Sequence, residues 1–211
     1  MDSLNNLQAA GLLYAYMWMF VIGSGAWMTL TTLTAGLSIA RISLGCGPKI
    51  KSTDGQIAVR IGLLPMGSYV TQPENEAGDP KPFPTGVRLA CHAGNMAIPV
   101  AVVLLAIGAE QGVSLLESVA QNFIPATLSP LGKAPSAIRE FWATLKSTPT
   151  LALAQLAVVH VFLGIILFIT GIIEIHDENN RTLIGRNRRN LPFFFVALYL
   201  PWLVALVAAF F

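Results

Sequence analysis

The feature that most constrains this chain is where its charges are missing. No Asp, Glu, Lys or Arg occurs at 3–40, 89–109, 147–173 or 190–211, windows of 38, 21, 27 and 22 residues. A helix that crosses a bilayer needs about 20 apolar residues, so each window is long enough for one crossing. Of the 211 residues, 54% are hydrophobic and 11% charged, against about 25% charged in a soluble domain. That excludes an ordinary water-soluble globule. The expected fold is all-α and polytopic, a single membrane domain over 1–211. It has four transmembrane helices at about 7–35, 89–109, 151–173 and 192–211, with a membrane-associated β-hairpin between helices 1 and 2.

Lys and Arg are distributed asymmetrically. Six lie in 41–88 and four in 174–189, against three in 110–146 and none in the N-terminal segment. The positive-inside rule then places 41–88 and 174–189 on the cytoplasmic side, or its organellar equivalent. Both termini are expected on the outer or lumenal side of a bacterial or organellar inner membrane. Met-Asp-Ser at the start has no basic n-region, so the first span reads as permanent rather than as a cleaved signal. Net charge is +2 and there are two cysteines, Cys46 and Cys91. Neither points to a nucleic-acid partner or a disulfide framework.

The first window is too long for one crossing, since 38 helical residues would span about 57 Å. A helix over 7–35, closed by Gly36, leaves the Thr-rich stretch 29–34 near the inner interface. After it, 41–47 and 56–64 are rich in Ile, Val and Leu, with turn chemistry at Ser52-Thr53-Asp54-Gly55. The region 41–70 therefore reads as a β-hairpin with 67–70 as a third strand. In the outer loop, 110–149, Ile138, Phe141, Trp142 and Leu145 recur at i, i+3, i+4, i+7 and predict an amphipathic helix whose apolar stripe packs over the spans or lies on a bilayer or a partner. The fourth span opens at Pro192 and carries Pro201.

Two runs carry a resemblance. Ile42-Ser43-Leu44-Gly45-Cys46-Gly47-Pro48, followed after Arg60 by Leu64-Pro65-Met66-Gly67-Ser68-Tyr69-Val70, resembles the site-2 protease family of intramembrane zinc metalloproteases. The first is similar to that family's hydrophobic-Ser-Ile-Gly-Phe-Gly-Pro turn, the second to its Leu-Pro-Leu-Gly-Gly-Tyr-Val element. Ala93-Gly94 is similar to the start of its Ala-Gly-Pro-x-x-Asn, with Asn95 where Pro is expected and Ile98 where Asn is expected. The resemblance covers about 20–100, and the rest by layout only.

The family's chemistry rests on His-Glu-x-x-His, two ligands on one helix face with a general base between them. Laid back without gaps from Ile42, that motif falls on Ser24-Gly25-Ala26-Trp27-Met28. Ser24 and Met28 take the His positions and Gly25 the Glu, and none of the three can replace what it stands for. At the family's third ligand, an Asp in Leu-Asp-Gly, this chain has Ile175. The resemblance thus implies a pseudoprotease that is not an enzyme and holds no cofactor or catalytic metal.

The remaining polar residues offer weaker alternatives. Cys91, His92, His176 and Asp177, with Glu174 beside them, are acceptable metal ligands at one face, and rearranged around zinc they would make an active metalloprotease. His92 and His160 would suit a redox or pigment cofactor, but their depths differ by roughly 15 Å. His160 is expected to form a helix–helix hydrogen bond instead. Binding can outlast catalysis. The small-residue face Gly23, Gly25 and Ala26, with the strand residues Gly62, Leu63, Leu64, Gly67 and Tyr69, is the expected partner-binding surface. The expected function is a non-catalytic interaction or structural subunit of a larger membrane complex, with the lipid bilayer and other membrane-protein subunits as partners and no nucleic acid.

Overall fold

The computed structural model describes residues 3–53, 56–74, 83–128 and 130–179. Helix α1 (Asn6–Thr34) starts at a reciprocal cap: the Gln8 amide donates to Asn5 Oδ1 at 2.9 Å and the Asn5 amide to Gln8 Oε1 at 3.0 Å. Two of the otherwise unpaired amide donors of the first turn are satisfied this way. Asn5→Ala is expected to cost about 1 kcal/mol, read as a lower midpoint in denaturant unfolding. At the other end, Thr29, Thr32 and Thr34 return their hydroxyls to the carbonyls of Gly25, Met28 and Thr31. Each hydroxyl is thereby satisfied inside an apolar helix. The chain leaves the helix at Gly36, where φ is +72°.

Two long strands follow, β1 (Arg41–Thr53) and β2 (Ala58–Thr71). Both are bent, so their limbs pair more than once. Limb 41–44 runs parallel to 58–61, with Arg41 opposite Ala58 and Leu44 opposite Ile61; its other edge takes 68–71 antiparallel, with Leu44 opposite Ser68 and Arg41 opposite Thr71. Limb 49–53 folds back on the far side of 58–62, Thr53 opposite Val59 and Lys49 opposite Gly62. Across the sheet the order is 49–53, 58–62, 41–44, 68–71. Where the strands cross, a Cβ on Gly62 would run into the Cys46 backbone and one on Gly45 into the Leu64 carbonyl. The expected hairpin is therefore present in a more folded form: 41–44 is not the antiparallel partner of 58–61 but lies parallel to it.

The other helices are α2 (Thr85–Ile107), α3 (Ala109–Leu128), α4 (Pro130–Ser147) and α5 (Pro149–Asn179). α2 and α5 pack antiparallel, with Gly164 against Met96 at one level and Val103 among Ala154, Ala157 and Val158 at another. Tyr16 of α1 and Leu115 and Val119 of α3 complete that core. α4 lays Leu145, fully buried, against Ala9 and Ala152, and Phe141, Trp142, Leu4, Leu12 and Leu13 pack around that cluster. Its apolar stripe is thus used inside the molecule.

This arrangement corrects the all-α, four-span expectation. The described residues are mixed α/β, five helices with a sheet. Among them two helices, Asn6–Thr34 and Thr85–Ile107, are long and apolar enough to cross a membrane. The third expected span, 151–173, falls in α5, for which the described residues give a shorter apolar helix, Pro149–Phe162. The fourth, 192–211, lies outside the described residues. α5 itself continues without a break to Asn179, past the charged residues that were to close its span. The β-rich segment, meanwhile, forms an extended sheet rather than a small insert.

Candidate functional site

The three positions on which the resemblance lays a metal motif sit where α1 meets the sheet and α2. Ser24 is buried, 5% exposed, and its hydroxyl donates to Asn95 Oδ1 of α2 at 2.6 Å. Ser68 of β2 donates in turn to Ser24 Oγ at 3.0 Å. Ser68, Ser24 and Asn95 therefore form one chain of neutral hydrogen bonds that ties three elements together. No group in that chain is a base strong enough to activate a serine hydroxyl, and none is a preferred zinc ligand.

Next along the helix, Gly25 is buried, and a Cβ there would overlap the Leu44 side chain and lie 3.6 Å from Ser68 Cβ. The space a longer side chain at position 25 would need is filled by a strand residue. Two residues on, Trp27 donates its indole N–H to the Ala90 carbonyl at 2.9 Å, and its ring covers Gly94 so closely that a Cβ on Gly94 would overlap it. Met28 is half-buried. Large residues thus face small ones across this junction, Leu44 on Gly25 and Trp27 on Gly94.

Sequence reading singled out Ser24, Ser68 and Asn95 separately, as members of three motifs, and did not join them. Their common signal was that each stands in a segment carrying the resemblance, so segments that meet in space bring them together. Pro99 adds a feature that the sequence reading passed over. Lacking an N–H, it cannot bond the Asn95 carbonyl four residues back, and Gly164 approaches that oxygen, its Cβ position lying 3.7 Å away. Replacing Asn95 with leucine leaves the buried Ser24 hydroxyl without its acceptor and is expected to cost about 1–3 kcal/mol. Starting from Ser24→Ala the same change should cost less, a non-additivity that a double-mutant cycle measures.

The expected partner-binding residues separate into two groups. A Cβ on Gly23 would lie 3.8 Å from the Ile98 side chain and one on Gly25 would overlap Leu44, so both face contacts within the chain, while Ala26 is exposed. Gly62 is buried in a limb that has neighbours on both sides. Leu63, Leu64 and Tyr69 are 47%, 45% and 45% exposed, and Gly67 is exposed with φ +72°. Limb 68–71 pairs on one edge only, with no further strand on its other edge among the described residues.

The alternative ligand sets are spread along the bundle. With Met96 level with Gly164 in an antiparallel pair, His92 is level with about residue 168, and positions 160 and 176 lie roughly 12 Å to either side of that level. His160 Nδ1 lies 2.8 Å from the Leu156 carbonyl of its own helix, and its ring packs 4.4 Å from that of Phe20 and 6.0 Å from that of Tyr16. The expected interhelical hydrogen bond is replaced by an intrahelical one plus ring packing on α1. Cys91 is half-buried on α2 and unpaired with sulfur; His176 and Asp177 belong to the last turns of α5. Among the described residues, no group of three His, Cys, Asp or Glu could hold a metal ion. No family model matches the chain, and no curated protein is significantly similar to it.

Proposed function

We propose that this chain is a catalytically inactive relative of the site-2 proteases, embedded in a bacterial inner membrane or its organellar equivalent, that works as an interaction subunit of a larger membrane assembly. α1 and α2 cross the bilayer, and the basic sheet region between them faces the cytoplasm or its equivalent, which puts the N-terminus on the outer side. One observation carries the reading. At the positions where a zinc and its general base would be held, the chain has a neutral Ser68–Ser24–Asn95 hydrogen-bond chain and two interlocked large–small pairs, Leu44 on Gly25 and Trp27 on Gly94. Such a junction is suited to holding a sheet against a helix and not to activating water.

Of the surfaces expected to bind, the sheet edge is the one left available. Limb 68–71 offers backbone groups for β-augmentation, with Tyr69 as an exposed side chain beside them. Extraction from the native membrane in mild detergent, followed by mass and metal analysis of the same particle, tests the proposal. A large stoichiometric complex without zinc is expected. A small particle carrying about one zinc per chain would overturn it.

A further inference from the structure

Gly108, at φ +79°, turns the chain from α2 straight into α3 with no loop between them. α3 then folds back so closely that a Cβ on Gly112 would lie 3.0 Å from the Val103 side chain, and Leu115 and Val119 enter the core. Where this corner meets the first turn of α5, a groove of about 520 Å³ is left. Ile107, Leu115 and Leu151 supply its apolar part, and α3 supplies a polar side with Glu110, Gln111 and Ser114. A volume of this size is within the range of small-ligand sites.

Three properties of the groove select an occupant. Glu110 is the only charged side chain in the lining, so that end favours a cation. Gln111 and Ser114 beside it are exposed and neutral, and both can donate hydrogen bonds to an anionic oxygen. The groove thus suits a zwitterion whose cationic and anionic groups are close together. The second property is position. Glu110 comes directly after the charge-free window 89–109, at the end of the helix that the reading above takes across the bilayer, which puts the groove at the outer interface. The third is an apolar track leading away from it. Val100, Leu104 and Ile107 recur at i, i+4, i+7 and share one face of α2; Val100 and Leu104 are 41% and 48% exposed. From Ile107 in the groove, this face runs back along α2 into the hydrocarbon.

We propose that the groove binds the headgroup of a zwitterionic aminophospholipid of the phosphatidylethanolamine type. The ammonium sits on the Glu110 carboxylate, the phosphate takes donors from the Gln111 amide and the Ser114 hydroxyl, and an acyl chain lies along Leu104 and Val100. A primary ammonium brings three N–H donors to the carboxylate. A choline headgroup brings none, and a phosphatidylglycerol headgroup sets negative charge beside Glu110 with no cation to offset it. The inference rests on the membrane reading above.

The test offers the full chain in mild detergent equal amounts of phosphatidylethanolamine, phosphatidylcholine and phosphatidylglycerol with the same acyl chains, and counts retained lipid by native mass spectrometry. Phosphatidylethanolamine should be retained about five-fold over phosphatidylcholine, with phosphatidylglycerol last. Glu110→Gln should remove most of that preference. Glu110→Lys should reverse the order in favour of phosphatidylglycerol, a gain that a misfolded chain would not give. Glu117, on the same helix, lies outside the groove lining and accepts a hydrogen bond from Gln121, so Glu117→Lys should keep the wild-type order. Equal retention of phosphatidylethanolamine and phosphatidylcholine by the wild type, an unchanged order in Glu110→Lys, or the same reversal in Glu117→Lys would overturn the site. So would displacement of the lipid by an equal concentration of soluble phosphoethanolamine, which would make the occupant a free solute. Alkaline carbonate extraction checks the underlying reading separately. Release of the wild type from the membrane pellet would sink that reading and the headgroup site with it, whereas retention in the pellet beside any failure above would sink the headgroup site alone.

Discussion

Replacing Gly25 with leucine is expected to destabilise the protein by about 3 kcal/mol or more, and to loosen the sheet before the helices. Even a Cβ at this position overlaps Leu44, and leucine adds three further carbons. Relief requires either an off-rotamer Leu44 or a sheet lifted from α1, and lifting it breaks the 3.0 Å hydrogen bond from Ser68 to Ser24. Overpacking of this kind costs about 1–3 kcal/mol, and the lost buried hydrogen bond adds to it. Denaturant unfolding gives the magnitude, and limited proteolysis within 41–71 gives the location. Leu44→Ala in the same chain should restore part of the loss. The contrast is Gly11 on the same helix, where a Cβ would meet nothing within 4 Å. Gly11→Ala should stabilise by up to about 1 kcal/mol through helix propensity alone. Wild-type stability in Gly25→Leu would mean that the junction is not closed in the way described.

Gly94→Ala is the second large effect, expected at about 2–3 kcal/mol. The new methyl would overlap the Trp27 indole, and the ring can move only by giving up its 2.9 Å bond to the Ala90 carbonyl. Because Trp27 is 37% exposed, it can swing outward, which keeps the cost below that of a fully enclosed clash. Swinging outward changes its surroundings, so the emission maximum of the tryptophan fluorescence should shift. Trp27→Ala opens the space and should make Gly94→Ala nearly neutral in that background, a coupling that the double-mutant cycle isolates. Together the two glycine positions test whether α1, α2 and the sheet form one locked junction.

Much of the secondary structure was legible in the sequence because it follows from local rules. An uncharged run gives α1; Gly36 ends it; the i, i+3, i+4, i+7 stripe of 138–145 gives α4 its buried face. The β character of 41–70 was legible from Ile, Val and Leu set between turn residues. What failed was the step from windows to spans. Charge-free windows gave four crossings and an all-α class, whereas the described residues hold two helices of sufficient length and apolarity together with an extended sheet. The pairing of the sheet was also hidden, because a parallel neighbour such as Ala58 for Arg41 is chosen by the bends of both strands and leaves no local signal.

The candidate site shows the same division. By itself the sequence determined what positions 24, 25 and 28 cannot do, since serine, glycine and methionine lack the nitrogen ligands and the carboxylate base that zinc hydrolysis requires. That conclusion depends only on side-chain chemistry. Tertiary structure decided what these residues do instead. Ser24 finds Asn95 from 71 positions away and Ser68 from 44, Leu44 comes to rest on Gly25, and Trp27 covers Gly94. Such pairings arise from how separate elements pack, where shape and buried hydrogen bonding choose the partner, and no spacing along the chain encodes them.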